Sequence, residues 1–384
     1  MSVLSCLHFY YLCSNKFWQD MNLTKYERRP SREVRIGRVV IGGNRPIAVQ
    51  SMTNTDTKDT EACVRQIERI FRAGGPIVRL TAQGCREGEN LQRIVRRLRE
   101  EGCDAAVVAD IHFVPEVAAI AAKYVDKVRI NPGNYNSSHG EFEALIDQCR
   151  ERGVAIRIGV NHGSLSKRVF DEWGDTPEGM VASAMEFLRV CREKAFDQVV
   201  VSMKSSNTRV MVAAYRLLVE AMDAEDMHYP IHLGVTEAGT PSMGMVKSAM
   251  GIGGLLCMGI GDTIRVTLTA DPVEEIYAAK KILRAAGLRK EGVNLIACPT
   301  CGRTRIDLIP MAEEVERRLA NCKKNITVAV MGCVVNGPGE AHEADYGIAG
   351  GKDCGLLFRR GEILGKYPAD KLADALVDLI LSEK

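Results

Sequence analysis

The 384-residue chain lacks several things, and each lack closes off a class of function. No G-x-G-x-x-G follows its first strand candidate, which removes the main dinucleotide-binding signature. Neither sign of charge dominates, with 51 Lys plus Arg against 49 Asp plus Glu, so neither nucleic acid nor a membrane surface is expected as a partner. No apolar run is long enough to span a bilayer; even the uncharged stretch Ser248 to Gly261 is short and rich in glycine. The N-terminal run Leu7-His8-Phe9-Tyr10-Tyr11-Leu12 has no Lys or Arg before it and no convincing small-residue cleavage site, so it does not read as a secretory signal. The expectation is a cytoplasmic protein whose residues 1–20 are a non-native or disordered extension, with Met21 as the true start.

Cysteine, by contrast, is plentiful at 13. Ten of these, including Cys63, Cys103, Cys149, Cys191 and Cys257, are scattered through mostly apolar stretches. They read as small buried hydrophobes in a reducing compartment. The other three are grouped: Cys298-Pro-Thr-Cys301, then Cys333 in Met331-Gly-Cys-Val-Val-Asn-Gly-Pro-Gly-Glu340. Three thiolates can hold three irons of a cubane iron–sulfur cluster. Glu340 as a fourth ligand would leave one iron with a hard, replaceable partner, which suits a redox enzyme better than a simple electron wire. The C-x-x-C pair also fits zinc, a disulfide or a redox dithiol. Zinc would draw its fourth ligand from His342, Cys322 or Cys354. The Asn336-Gly-Pro-Gly-Glu340 loop favours the cluster, because its glycines let backbone amides approach the sulfurs of a bound object.

From about residue 45 the chain alternates β-branched runs with amphipathic stretches. The strand candidates are Pro46–Met52, Ile77–Thr81, Ala105–Ile111, Lys127–Asn131, Ala155–Val160, Gln198–Met203, Ile231–Thr236 and Thr263–Thr269. Helical periodicity follows, as in Glu61–Arg72, Glu89–Glu101, Glu141–Arg152, Glu178–Lys194, Thr208–Ala224 and Glu274–Ala286. Eight such units match the ~250 residues of a closed parallel (β/α)8 barrel of the TIM type. An open doubly wound sheet is the alternative. The expected α/β organisation is a barrel domain over residues 21–290 and a small α/β domain over 291–384. In the latter, strands Val293–Ala297 and Ile326–Val330 lead into the two cysteine groups, helix Met311–Ala320 lies between, and a hairpin at Arg359-Arg360-Gly361-Glu362 precedes a last helix, Ala369–Leu381.

Four strands share one pattern: Val78-Arg79-Leu80, Val128-Arg129-Ile130, Ile156-Arg157-Ile158 and Ile264-Arg265-Val266. Each arginine points away from its aliphatic neighbours, so aliphatics face the helices and guanidiniums face the barrel mouth. Converging cations need an anion, and the arginine fork suits phosphate oxygens. Lys204 adds a fifth charge. Structural pairing with Asp110, Glu237 or Asp262 is the competing account. Further polar residues fall at strand ends, where barrel enzymes keep their chemistry: Gln50, Asp110, His112, Asn131, Asn161, Asn207, Glu237 and Thr267. Any one of them alone is often a loop cap. Glu237, a lone carboxylate among cations, is the acid/base candidate. The segment Met250-Gly-Ile-Gly-Gly254 is a weaker candidate for offering N–H groups to a phosphate.

Taken together, Gln50-Ser-Met-Thr-Asn54, Ala109-Asp-Ile-His112, Arg129-Ile-Asn-Pro-Gly133, Arg157-Ile-Gly-Val-Asn161, Gly234-Val-Thr-Glu-Ala-Gly239, Gly261-Asp-Thr-Ile-Arg265, Ala297-Cys-Pro-Thr-Cys301 and Gly332-Cys-Val-Val-Asn-Gly-Pro-Gly-Glu340 resemble the 4-hydroxy-3-methylbut-2-enyl diphosphate synthases of the non-mevalonate isoprenoid pathway. The resemblance runs from about Arg32 to the C-terminus and lacks the long insertion of the family's three-domain form. It implies a [4Fe–4S] cluster on Cys298, Cys301, Cys333 and Glu340. It implies a cyclic diphosphate, 2-C-methyl-D-erythritol 2,4-cyclodiphosphate, bound by Arg79, Arg129, Arg157, Lys204 and Arg265 with Asp110, His112, Asn131, Asn161 and Thr267. Ring opening and loss of a hydroxyl as water would consume two electrons and two protons, with Glu237 placed to supply a proton. Flavodoxin or ferredoxin as electron donor, and a homodimer in which one chain's cluster domain closes over the other's barrel, are further implications. Two rivals stand beside it. One is a zinc-bearing barrel transferase using Cys298, Cys301, Cys333 and His342. The other is a non-enzymatic iron–sulfur sensor, which would have no use for inward arginines.

Overall fold

A computed structural model describes residues 26–135, 140–333 and 343–383, in two compact units that divide between Leu288 and Arg289. Residues 1–20, Met21, the whole Asn336–Glu340 loop and His342 lie outside the described residues, as do the expectations placed on them.

The first unit opens with a hairpin, β1 (Val34–Ile36) and β2 (Val39–Ile41). Eight parallel strands follow: β3 (Ala48–Met52), β4 (Ile77–Ala82), β5 (Ala106–Ile111), β6 (Lys127–Ile130), β7 (Ala155–Asn161), β8 (Val199–Lys204), β9 (His232–Leu233) and β10 (Thr263–Ile264). They neighbour one another in the order β8-β7-β6-β5-β4-β3-β10-β9, and a parallel bridge between Val201 and Ile231 joins the two ends of that row. This is a TIM barrel, and the open-sheet alternative falls on that bridge.

The alternation along each strand separates two environments. Val78, Leu80, Val128, Ile130, Ile156, Ile158, Ile264 and Val266 join the large core under the helices. Ala48, Ile77, Ala106, Val108, Ala155 and Val200, on the opposite face, form a small apolar cluster inside the barrel. The hairpin packs Val34, Ile36 and Ile41 against this cluster and so plugs one end of the barrel. The sequence reading passed over that hairpin, although Val34-Arg-Ile-Gly-Arg-Val-Val-Ile41 alternates around a glycine as a short hairpin does.

Helices Thr60–Arg72, Cys85–Glu100, Glu141–Arg152, Pro177–Glu193, Thr208–Ala224 and Pro272–Ala285 lie within a few residues of expectation. Asp59, Thr176, Asn207 and Asp271 cap four of them by accepting from first-turn N–H groups. The last two strands are shorter than expected. Arg265 N–H still donates to Leu233 O at 2.9 Å, after which both chains leave the ladder to form loops. Residues 250–254 are also not a phosphate nest. A π-turn, Ala249–Gly253, carries helix Pro241–Ser248 into a short helical turn, Gly254–Cys257, so these N–H groups sit inside helix. Cys63, Cys103, Cys149 and Cys191 are buried as expected, but Cys257 is exposed, because its helical turn buries Leu255 and Leu256 instead. No described helix is long and apolar enough to cross a membrane.

The second unit is a five-stranded sheet in the order β11 (Val293–Ala297), β12 (Ile326–Met331), β13 (Tyr346–Ala349), β14 (Cys354–Arg359), β15 (Glu362–Pro368). The first three strands run parallel and the last two pairings are antiparallel. Helices Leu308–Leu319 and Leu372–Ser382 pack on one face around Val315, Val328, Val330, Ile348 and Leu376. The sequence reading did not separate β13, and the last helix begins with a 3-10 turn, Ala369–Lys371.

Candidate active site

Six cationic side chains share the inner face of the barrel: Arg79, Lys127, Arg129, Arg157, Lys204 and, just past β10, Arg265. Pairing register puts Asp110, Arg129 and Arg157 side by side on β5, β6 and β7. Arg129 donates to Asp110 Oδ1 and to Gly159 O, both at 2.8 Å. Arg79 Nε stands 3.4 Å from Asp110 Oδ2 and its fork donates to Met52 Sδ. Arg265 grips Glu275 with two bonds of 3.1 Å. Glu275 in turn accepts from Ser51 Oγ at 2.7 Å and Leu268 N–H at 3.2 Å.

Two buried carboxylates thus hold three arginines and leave the rest. All three guanidinium nitrogens of Arg157 are buried without a hydrogen-bond partner among the described residues, and so is Lys127 Nζ. Burial would raise the Asp110 carboxyl, but Arg129 and Arg79 outweigh it and hold the group far below its usual range. Burial pushes Arg79 down to about 10 against the pull of Asp110. Burial, then Arg79 and Arg157, push the Lys204 ammonium well below its ordinary value. An arginine keeps its proton in proteins, so the unpaired Arg157 does not escape the cost by neutralising. Charge buried without compensation costs several kcal/mol. The arrangement makes physical sense as a socket for an anion.

Two glycines give the cations room. A Cβ on Gly159 would come within 2.7 Å of Arg129 Nε, and one on Gly234 within 2.7 Å of Lys204 Nζ. Any side chain there would push a cation aside.

At the strand ends, Asn131 donates to Ser164 Oγ at 3.0 Å and accepts from Gly133 N–H at 3.2 Å, so it shapes the loop it starts. Asn161 ends β7 and Thr267 follows Arg265, both half-buried. His112 directly follows β5, with Nδ1 buried and unpaired among the described residues. Asn207 is a helix cap, accepting from Arg209 N–H at 3.0 Å.

Three expectations need correction. Asp262 does not face the arginines: it accepts from Arg28 and Ser31 and from the N–H of Ile231, the residue before β9. Glu237 is not the lone carboxylate among cations. It is exposed on the loop after β9 with a left-handed backbone (φ 50°), while Asp110 and Glu275 occupy the cationic interior. Gln50 is not at a strand end but buried inside β3, with both amide atoms unpaired among the described residues. Sequence reasoning missed Lys127 and Glu275. Lys127 was legible as the second inward position of Lys127-Val128-Arg129, whereas Glu275 lies on a helix, where no strand alternation points to it.

In the second unit, Cys298 follows β11 and Cys333 follows β12, two parallel neighbours paired from Val293↔Ile326 to Ala297↔Val330. Gly332 N–H donates to Cys298 Sγ at 3.2 Å, and Gly332 O accepts from Arg305 N–H at 2.9 Å. Bonds from the Arg303 backbone and then its guanidinium hold the Cys301 thiol below its ordinary value. Sulfurs met by N–H donors and a cation are suited to be thiolate ligands. Cys298, Cys301 and Cys333 are all free. Among the described residues no three His, Cys, Asp or Glu side chains gather tightly enough for one metal ion. A single zinc needs its ligand atoms about 2.0–2.3 Å from one point, whereas a cubane takes its thiolates at separate corners. Cys322 packs against the domain core and Cys354 is exposed at the start of β14. Three cysteines at the ends of two neighbouring strands, with N–H donors turned to Cys298 and Cys301, suit a group held by several thiolates.

Comparison with known proteins covers both units. The family described as GcpE TIM-barrel domain matches residues 31–280, and that described as GcpE protein C-terminal domain matches residues 294–382. A Clostridium perfringens protein named 4-hydroxy-3-methylbut-2-en-1-yl diphosphate synthase (flavodoxin) is 50% identical over 355 residues, 92% of this chain and 99% of that one. A Geobacter sulfurreducens protein of the same name is 49% identical over 92% of this chain and 99% of its own. A Prochlorococcus marinus protein carrying the same name with "(ferredoxin)" is 45% identical and covers 94% of each chain.

Proposed function

The chain belongs to the GcpE family, and from that premise we propose how its barrel and cysteines divide the work. The reaction is the reductive opening and dehydroxylation of 2-C-methyl-D-erythritol 2,4-cyclodiphosphate to 4-hydroxy-3-methylbut-2-enyl diphosphate, a step of the non-mevalonate route to isoprenoids. One carbon–oxygen bond to the diphosphate ring breaks and a hydroxyl leaves as water. Two electrons and two protons enter, one proton going to that water and one to the diphosphate oxygen freed by ring opening.

The excess of buried cations carries the assignment of the binding site. Arg157, whose nitrogens have no partner among the described residues, and Lys204, set among arginines, are offered to the diphosphate. Asp110 keeps Arg129 and Arg79 in place, and Glu275 keeps Arg265. Asn131, Asn161, His112 and Thr267 at the rim orient the carbon skeleton. Glu237, on its exposed loop, is the residue to hand over a proton from the solvent side. Cys298, Cys301, Cys333 and Glu340 would hold a [4Fe–4S] cluster, which supplies low-potential electrons one at a time and a Lewis-acid iron.

The test is iron, acid-labile sulfide and zinc per chain on anaerobically purified protein, followed by turnover of the cyclodiphosphate with a chemical reductant. About four irons and four sulfides with product formed supports the reading. One zinc without labile sulfide would sink it in favour of the barrel transferase. Glu340→Ala should keep a cluster on three thiolates yet lose most turnover; full activity would remove Glu340 from the ligand set.

The electron donor is a flavodoxin or a ferredoxin, as the relatives' names divide. The assembly we infer is a homodimer in which one chain's cysteine domain serves its partner's barrel. Mixing an Arg157→Met chain with a Cys333→Ser chain, each with little activity alone at substrate well below the Arg157→Met Kd, should then restore about a quarter of the wild-type activity, because half of randomly paired dimers hold one intact site of two. No recovery after verified subunit exchange would place both halves of the site within one chain.

A further inference from the structure

Below the arginines the barrel holds polar groups that the diphosphate assignment leaves unused. Lys127 begins β6, paired in register with Val108 and Ala155, two members of the apolar cluster inside the barrel. It is fully buried and its Nζ has no hydrogen-bond partner among the described residues. Gln50, Ser202 and His232, on inner faces of β3, β8 and β9, also carry buried polar atoms without partners among the described residues. The adjacent Asp126 does not neutralise it, because that carboxylate accepts from Val107 N–H at 2.8 Å and lies 3.4 Å from Arg99. A methionine would fill the same space without the cost of a buried, unpaired amine.

We propose that Lys127 is a further diphosphate-binding residue, the deepest cation of the site, whose ammonium meets a phosphoryl oxygen beneath Arg157 and Arg79. This rests on the cyclodiphosphate reading of the barrel. The charged and titratable groups around Lys127 are Arg157 on β7, Arg79 on β4, His232 on β9 and Asp126 beside it. Burial first, then Arg157 and Arg79, push its ammonium well below the ordinary value, so the empty site weakens its hold on the proton. Arrival of a dianion reverses that balance, and Lys127 takes up a proton as the ligand binds. Lys204 and His232 are pushed down by the same kind of neighbours and contribute to the total uptake. Only the difference between wild type and a Lys127 variant belongs to Lys127.

The experiment is calorimetric titration of the cyclodiphosphate into oxidised protein without reductant, in buffers of different ionisation enthalpy near pH 8. Both phosphoryl groups of this ligand are fully ionised there, so protons taken up go to the protein. Wild type should bind with net proton uptake. Lys127→Met should bind about tenfold or more weakly, as expected for losing one charged hydrogen bond, with smaller uptake and an unchanged or higher melting temperature. Unchanged affinity and uptake would overturn the proposal. So would weaker binding accompanied by a lower melting temperature and undiminished uptake, which is the mark of a structural role. Should Lys127→Met fail to fold, Lys127→Gln takes the same test with the same two outcomes. Absence of binding by the wild type would refute the cyclodiphosphate reading itself.

Discussion

Cys333→Ser is expected to abolish turnover and strip the protein of iron and labile sulfide while leaving the fold and the barrel's ligand affinity in place. The exchange is nearly isosteric, and the backbone around it is held by the β11–β12 pairing and by the Gly332 bonds to Cys298 Sγ and Arg305 N–H. What changes is chemistry: a hydroxyl at neutral pH is a far weaker iron ligand than a thiolate, and a cubane on the two remaining thiolates is left with an exposed corner. The check is metal and sulfide analysis beside far-ultraviolet circular dichroism and cyclodiphosphate titration. Circular dichroism like that of wild type, affinity within about threefold and no cluster would match the reading. A variant that retains about four irons per chain would show that Cys333 is not a ligand.

Arg157→Met should have the second-largest effect, with opposite signs on binding and stability. Arg157 is fully buried, flanked in register by Arg129, and none of its nitrogens is paired among the described residues. Removing one partner of a buried, hydrogen-bonded charge pair costs about 2–5 kcal/mol, or roughly 30- to 5,000-fold in Kd for the cyclodiphosphate. In the ligand-free protein the same change removes a cation repelled by Arg79 and Arg129, so the melting temperature should hold or rise. Iron content should not change. A lower melting temperature with little change in Kd would assign Arg157 to the structure and not to the ligand, and an iron–sulfur sensor would regain standing.

How much of this was legible in the sequence differs from element to element. Where hydrophobic period and caps agree, as in Glu141–Arg152 and Thr208–Ala224, the helix bounds coincide with the expected ones. Where the chain leaves the ladder early, as after Leu233 and Ile264, β-branched residues continue past the strand and the bounds overshoot. Composition cannot tell a residue that pairs from one that merely prefers extended backbone. The glycines at 251, 253 and 254 suggested N–H groups open to a phosphate, yet they sit in helical turns, where a Cβ on Gly251 would meet Val235 at 3.0 Å and Met211 at 3.1 Å.

By itself the sequence determined which side chains face inward, because a strand's period of two leaves an arginine between aliphatics no other choice. It also determined where the cysteines lie, since both groups directly follow strand-like runs. Only the tertiary structure decided which charges cancel. Asp110 is spent on Arg129 and Arg79, Glu275 reaches in from a helix to hold Arg265, Asp262 is committed to Arg28 and Ser31, and Glu237 stays in solvent. Pairing between charges depends on distances set by barrel closure between residues far apart in the chain. Those distances single out Arg157 and Lys127 as buried basic side chains still unpaired among the described residues.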